Sequence, residues 1–210
     1  DFTSIAQIGH VPLMVVTSPQ FEASDLKDLV ALAHKSPDKY TWATSGLGTS
    51  SHLSEEMLNR GLKMKMEIIS YKGAVPQLTD VMGGHVTAAI SPMPGVSAFI
   101  KSGRLKALAV TSDQRLPAMP NIPTVSESGL SGFEMYSWYG LWGPANLPQS
   151  VVNKLSAEVA IALKNKGVRD RMAELDFEPS TATPAQFEKI IKDEIAKIGA
   201  VAREANISLD

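Results

Sequence analysis

Cysteine is absent from the 210 residues, which excludes disulfides, thiolate chemistry and most structural zinc sites. The longest apolar stretches, Val11 to Val16 and Leu105 to Val110, fall far short of the roughly 20 residues that cross a bilayer. Dense runs of Lys or Arg are also missing. The net charge of -2 is spread along the chain, so there is no positive strip to neutralise phosphates, and nucleic acid is not an expected partner. His10, His34, His52 and His85 are scattered, with no His-Glu-x-x-His or other paired spacing that would hold a metal. No initiator Met or signal peptide is present, so a chain starting at Asp1 reads as a processed or trimmed product.

What is present is an ordinary globular composition, 44% hydrophobic and 20% charged. It argues against disorder and supplies a core for one large domain or two small ones. Ile5 to Thr17 reads as extended, with Pro12 expected to interrupt its ladder or place it at an edge. Ser24 is the expected cap of a helix carrying Leu26, Leu29, Val30 and Leu32. Strand and helix signals then alternate. Tyr40 to Ala43 precedes a helix from Thr49 to Arg60, closed by Gly61; Glu67 to Tyr71 precedes one from Ala74 to Met82. Val86 to Ile90 precedes a helix from about Pro94 to Ser102, and Leu105 to Val110 is a further strand. This alternation predicts βαβ units, a parallel sheet, and a ligand outside the carboxyl ends of the strands. Pro117 to Phe133 reads as irregular backbone, and Tyr136 to Gly143 as one more strand, with Trp138 and Trp142 on one face and Tyr139 on the other. Helices are expected over Gln149 to Lys164, Val168 to Leu175 and Pro184 to Ala205, the last capped by Thr183.

Ala43-Thr-Ser-Gly-Leu-Gly-Thr-Ser-Ser-His52 is the most informative segment: two glycines and five hydroxyl residues lie between a strand and a helix. Backbone amides at a helix start, backed by the macrodipole, favour an anion, and glycine lets it approach the main chain. In the plainer reading Ser45, Thr49 or Ser51 caps the helix and the glycines only make the turn. The segment is neither a dinucleotide fingerprint, since Ser51 stands at the third glycine position, nor a Walker loop, since Lys is missing. There is no Gly-x-Ser-x-Gly elbow, so Ser50, Ser51 and His52 offer only weak support for an acyl-transfer enzyme. Tyr71-Lys-Gly73 and Ser91-Pro-Met-Pro94 end the next two strands, and their loops should converge on the glycine loop.

Taken in order, Asp1 to Ala6, Gly46-Leu-Gly-Thr-Ser-Ser-His-Leu53, Ser70-Tyr-Lys-Gly73, Leu105 to Thr111, Arg115 to Pro120, Ile122-Pro-Thr-Val125 and Gly140 to Pro144 resemble a known family. It is that of the periplasmic solute-binding proteins of tripartite tricarboxylate transporters, often called Bug proteins. The resemblance runs from Asp1 to Asp210 and implies an α/β fold of the type II periplasmic-binding-protein kind. One complete βα lobe, residues 12–132, would be joined to a partial first lobe with carboxyl-terminal helices, residues 1–11 and 133–210. It further implies that the complete protein is a periplasmic monomer without cofactor or catalytic residue, closing around a small carboxylate and delivering it to a membrane permease. By position, the ligand residues would be Ser45, Gly46, Gly48, Thr49, Ser50, His52, Tyr71, Lys72, Gly73, Ala74, Ser91, Pro92 and Met93. Two departures stand out. Family members carry an additional amino-terminal region with its own glycine-rich ligand loop, which opens the alternative of a truncated, non-binding fragment. Where relatives often have an Asp, this chain has Ser91, which cannot pair with a ligand ammonium and so favours a dicarboxylate or aromatic carboxylate over an amino acid.

Overall fold

The computed structural model describes residues 2–204. Its elements are β1 (Phe2–Thr17), α1 (Leu26–Lys35), β2 (Thr41–Thr44), α2 (Ser50–Gly61), β3 (Glu67–Ser70), α3 (Ala74–Gly83) and β4 (Ala88–Pro92). After them come α4 (Met93–Lys101), β5 (Lys106–Val110), β6 (Tyr136–Pro144), α5 (Gln149–Ala162), α6 (Lys166–Glu174), β7 (Glu178–Pro179) and α7 (Pro184–Glu204). The helix end expected at Ala205 lies outside the described residues. Two compact units result, one built on Pro12–Tyr136 and the other on Ser137–Ala200 with the chain's first residues through Val11.

In the first unit the strand order is β3-β2-β4-β1-β5. β2 runs parallel to both β3 and β4, whereas β1 is antiparallel to β4 and β5. The expectation of a parallel sheet is thus corrected for β1. The connection through α1 passes β4 and enters β2 in the direction opposite to β1, and alternation of element types carries no information about strand direction. Period-two burial places Met14, Val16, Ala43, Ala89 and Val110 against Leu78 and Val81 of α3 and Met93 and Val96 of α4. The alternate residues Leu13, Val15, Trp42, Ala88 and Ile90 are equally buried and point to the other face, where Trp42 Nε1 donates to Asn59 Oδ1 of α2 at 3.0 Å. Full burial of each large side chain contributes about 1.5–3 kcal/mol, so this two-sided sheet is the main source of stability.

Pro12 does not interrupt β1, which runs unbroken through it. The ladder changes partner there: Gly9 and His10 pair with β7 and Leu13 onward with β4, so the missing N–H falls between two ladders. Asp25, not Ser24, caps α1, accepting from the Asp28 amide at 3.0 Å while Asp28 accepts from the Ser24 amide at 2.9 Å. A carboxylate is the stronger acceptor. Gly61 does not close α2 from outside but is its last helical residue, and the left-handed position falls on Lys63, φ 53°. The second unit holds β6, β7 and α5 to α7, with Trp138, Trp142 and Phe187 in mutual ring contact and Tyr139 on Phe177. Thr183 and Gln186 form a reciprocal capping box at the start of α7.

Candidate functional site

Because β2, β3 and β4 are mutually parallel, the helices that follow them all begin at one edge of the sheet. Ser50, Ala74 and Met93 open α2, α3 and α4, and none of these helices has an acidic residue in its first turn. Acidic side chains commonly offset the positive end of a helix; here, as in α5 to α7, no first-turn side chain does so, but these three ends share one edge of the sheet. Described pairing between β2 and β4 stops at Ala43 and Ala89, so the strands part at the end from which the loops emerge. Such a parting at the carboxyl ends of parallel strands is where α/β folds bind ligands.

The glycine loop is held by its own residues. Gly48 adopts φ 73°, a left-handed conformation that costs any L side chain energy. Thr49 is the cap: its hydroxyl donates to the Gly46 carbonyl at 2.8 Å and accepts from the His52 amide at 3.3 Å. Gly48 N–H donates to His52 Nδ1 at 3.1 Å, so the ring is neutral at that nitrogen and its proton sits on Nε2. One amide expected to be free for an anion is therefore already used, while the Ser50 and Ser51 amides, at the first positions of α2, have no partner within the helix. His52 is 5% exposed. Burial lowers its pKa, and the nearby Glu56 charge partly opposes that.

The second expected loop is knitted to the first. Tyr71 N–H donates to the Thr44 carbonyl and Gly73 N–H to the Ser45 carbonyl, both at 2.9 Å. The Gly73 backbone, at φ 106°, thus fixes the neighbouring loop instead of standing open. Tyr71 Oη donates to Asp80 Oδ2 at 2.7 Å, and burial followed by Asp80 pushes the phenol up to about 12. Lys72 is exposed. The third segment is not a loop: β4 continues to Pro92 and α4 starts at Met93. Met93 is a core residue with no exposure, and Ser91 is buried with its Oγ unpartnered. Ser45, Gly46, Thr49 and Ser50 are half-buried. Two buried polar residues of this region were not singled out from sequence, Glu55 and Gln77. The signal for Glu55 was its place on one face of α2 with His52 and Leu58.

Acidification should loosen this loop. Because the His52 pKa is lowered in the folded state, its contribution is fully present above the ordinary histidine value and is lost as pH falls through the lowered one. Protonation at Nδ1 ends its acceptance from Gly48. We expect faster Gly48 amide exchange and falling stability on acidification below the ordinary histidine range, both reduced in His52→Asn. A Gly48 amide equally protected on both sides of that range would show that His52 does not hold the loop.

A family model described as "Tripartite tricarboxylate transporter family receptor" matches residues 1–207. The chain belongs to this family. It is 32% identical to Protein BugT of Bordetella pertussis over 209 residues, all of this chain and 64% of BugT. Among solved structures, R. palustris Rpa4515 with adipate matches at TM-score 0.93 and 29% identity, over 99% of this chain and 70% of that one. MatC from Rhodopseudomonas palustris with bound malate matches at 0.88 and 28%, over 95% and 69%. The α/β architecture is the one these solute-binding proteins share. The chain spans 60% to 64% of the length of the first two curated relatives it matches. No helix among its described residues is long and apolar enough to cross a membrane.

Proposed function

We propose that this chain captures a small dicarboxylate in the periplasm and presents it, unchanged, to the permease of a tripartite tricarboxylate transporter. The observation that carries the reading is the convergence of three helix N-termini without a first-turn acid at the parting of β2 and β4. A carboxylate there would meet the Ser50 and Ser51 amides, the Ser50 hydroxyl, His52 and the Lys72 charge, with Thr49 held as the cap that shapes the turn. Family membership supports a receptor role, and adipate and malate in two structural relatives support the ligand class. Ser91 in place of a carboxylate favours a ligand without an ammonium group. On this reading residues 12–132 are the ligand-holding lobe and the remainder belongs to the other lobe.

Acyl transfer gains nothing from the geometry, because the His52 nitrogen facing the loop is taken by Gly48 and cannot relieve Ser50 of a proton. Adipate or malate incubated with the protein should therefore be recovered chemically intact. Product accumulating in proportion to protein, and lost in Ser50→Ala, would overturn the binding assignment.

A further inference from the structure

Beneath the glycine loop, the site rests on a carboxyl group that none of the preceding chemistry uses. Glu55 has no exposure at all, and its Oε1 accepts from the Ile90 amide at 3.2 Å. Gln77, also fully buried, donates through Nε2 to the Ala43 carbonyl at 2.6 Å and to the Ile90 carbonyl at 3.4 Å. These two side chains occupy the place where β2 and β4 have parted, and they take up backbone groups that the missing ladder would have paired. Glu55 Oε2 and Thr44 Oγ1 are both buried and both unpartnered. Buried orphans of this kind are rare and need a cause.

A hydrogen bond between them would remove both, with Thr44 either donating to a carboxylate or accepting from an acid; the complete burial of Glu55 favours the acid, because an isolated buried charge is costly. The Thr44 hydroxyl lies close enough to the carboxyl to influence its ionisation, though without a well-formed hydrogen bond. With Oε1 engaged as an acceptor, an acid proton would sit on Oε2 and be donated to Thr44. We propose that Glu55 acts as a neutral carboxylic acid, Oε2–H donating to Thr44 and Oε1 accepting from Ile90, and thereby positions both strand ends without placing negative charge beneath the anion site. Burial, its largest influence, raises the Glu55 pKa well above the usual carboxylate range, and Glu56 adds to the rise, against the Ile90 amide and Thr44. Glu56 is the charged group that acts on it; the other titratable or charged groups on the neighbouring elements are His52 and Arg60 on α2, Asp80 on α3, which is engaged by Tyr71, and Lys101 at the far end of α4, while β2 and β4 carry none. An ionised carboxylate here would work against the positive end of α2, so neutrality and anion binding are linked.

This inference rests on the carboxylate-binding reading for its consequence but not for its chemistry, and the test separates the two. Infrared difference spectra of the chain and of Glu55→Gln at neutral pH should show the carbonyl stretch of a protonated acid in the first and not in the second. Nitrogen-labelled protein titrated with adipate, followed through the amide resonances of Gly48 to His52, should then bind within about threefold of the unaltered affinity in Glu55→Gln. The amide side chain reproduces both the donor and the acceptor. Glu55→Leu, folded by circular dichroism, should bind at least about tenfold more weakly, because the Ile90 amide is stranded. The proposal falls if the acid band is absent, if Glu55→Gln binds as weakly as Glu55→Leu, or if Glu55→Leu binds as well as the unaltered chain. Should Glu55→Leu fail to fold, the infrared band and the Glu55→Gln affinity decide. If neither the unaltered chain nor a form extended with the segment its relatives carry responds to adipate or malate, the functional reading is what fails, and the band still decides the state of Glu55.

Discussion

Extended with the segment its relatives carry beyond the matched region, the chain is expected to bind adipate or malate at least about a hundredfold more tightly than it does alone. Each charge-assisted hydrogen bond to a carboxylate contributes about 1.5–3 kcal/mol. Two further contacts from a second set of amides therefore amount to about 3–6 kcal/mol, which is roughly a hundredfold or more in Kd. The second unit adds a reason of its own. Val152, Leu155, Val159 and Leu163 form a stripe along α5 and its cap, yet of these only Val152 is buried, and Leu155 stands 38% exposed with Val151 one turn before it also exposed. A concavity of about 430 Å³ lined by Ala6, Val159, Leu163 and Pro179 lies alongside. An apolar face of this kind is normally covered, and the extension should both cover it and raise the melting temperature. Calorimetric titration of both forms with a panel of dicarboxylates and aromatic acids is the measurement. Equal affinities would place the whole ligand site within the present 210 residues and end the two-lobe account.

Gly48→Val should weaken carboxylate binding by at least about tenfold, because the substitution acts on backbone and approach together. At φ 73° a β-branched residue is a steric outlier, costing on the order of 1–3 kcal/mol. Relief of that strain would swing the amide away from His52 Nδ1 and unseat the turn that leads into α2. The loss of stability stays within what a domain tolerates, so the variant should fold with a lower melting temperature. Gly48→Asn, which accepts the left-handed region more readily, should keep more of the affinity. Calorimetry on all three proteins checks the order, and an unchanged affinity in Gly48→Val would remove this loop from the site.

Period-two and helical patterns located nearly every element to within a few residues, because burial on a regular face leaves a local trace. The short β7 was missed: two residues at Glu178–Pro179 carry no periodicity. The glycine loop was legible as a turn into a helix for a similar reason, since glycines and hydroxyl residues are required by backbone conformation and capping at the position itself. Its amide traffic was not legible. That Gly48 donates to His52, and Gly73 to Ser45, depends on where atoms several or many residues apart come to lie.

By itself, the sequence determined the α/β class, the lack of thiols and of paired-histidine spacing, the strand-loop-helix placement of the glycine loop, and, by resemblance, the receptor family. These are properties of composition, local periodicity and motif order. Tertiary structure alone decided that β1 runs antiparallel to β4 and β5, that Met93 is core, that the third segment contains no loop, that Gln77 bridges β2 and β4, and that Glu55 takes the Ile90 amide. Each of those depends on pairing or contact between residues distant in the chain. Hydrogen-bond register and burial of a polar side chain are set by the partner across the sheet, and no local pattern encodes which partner that will be.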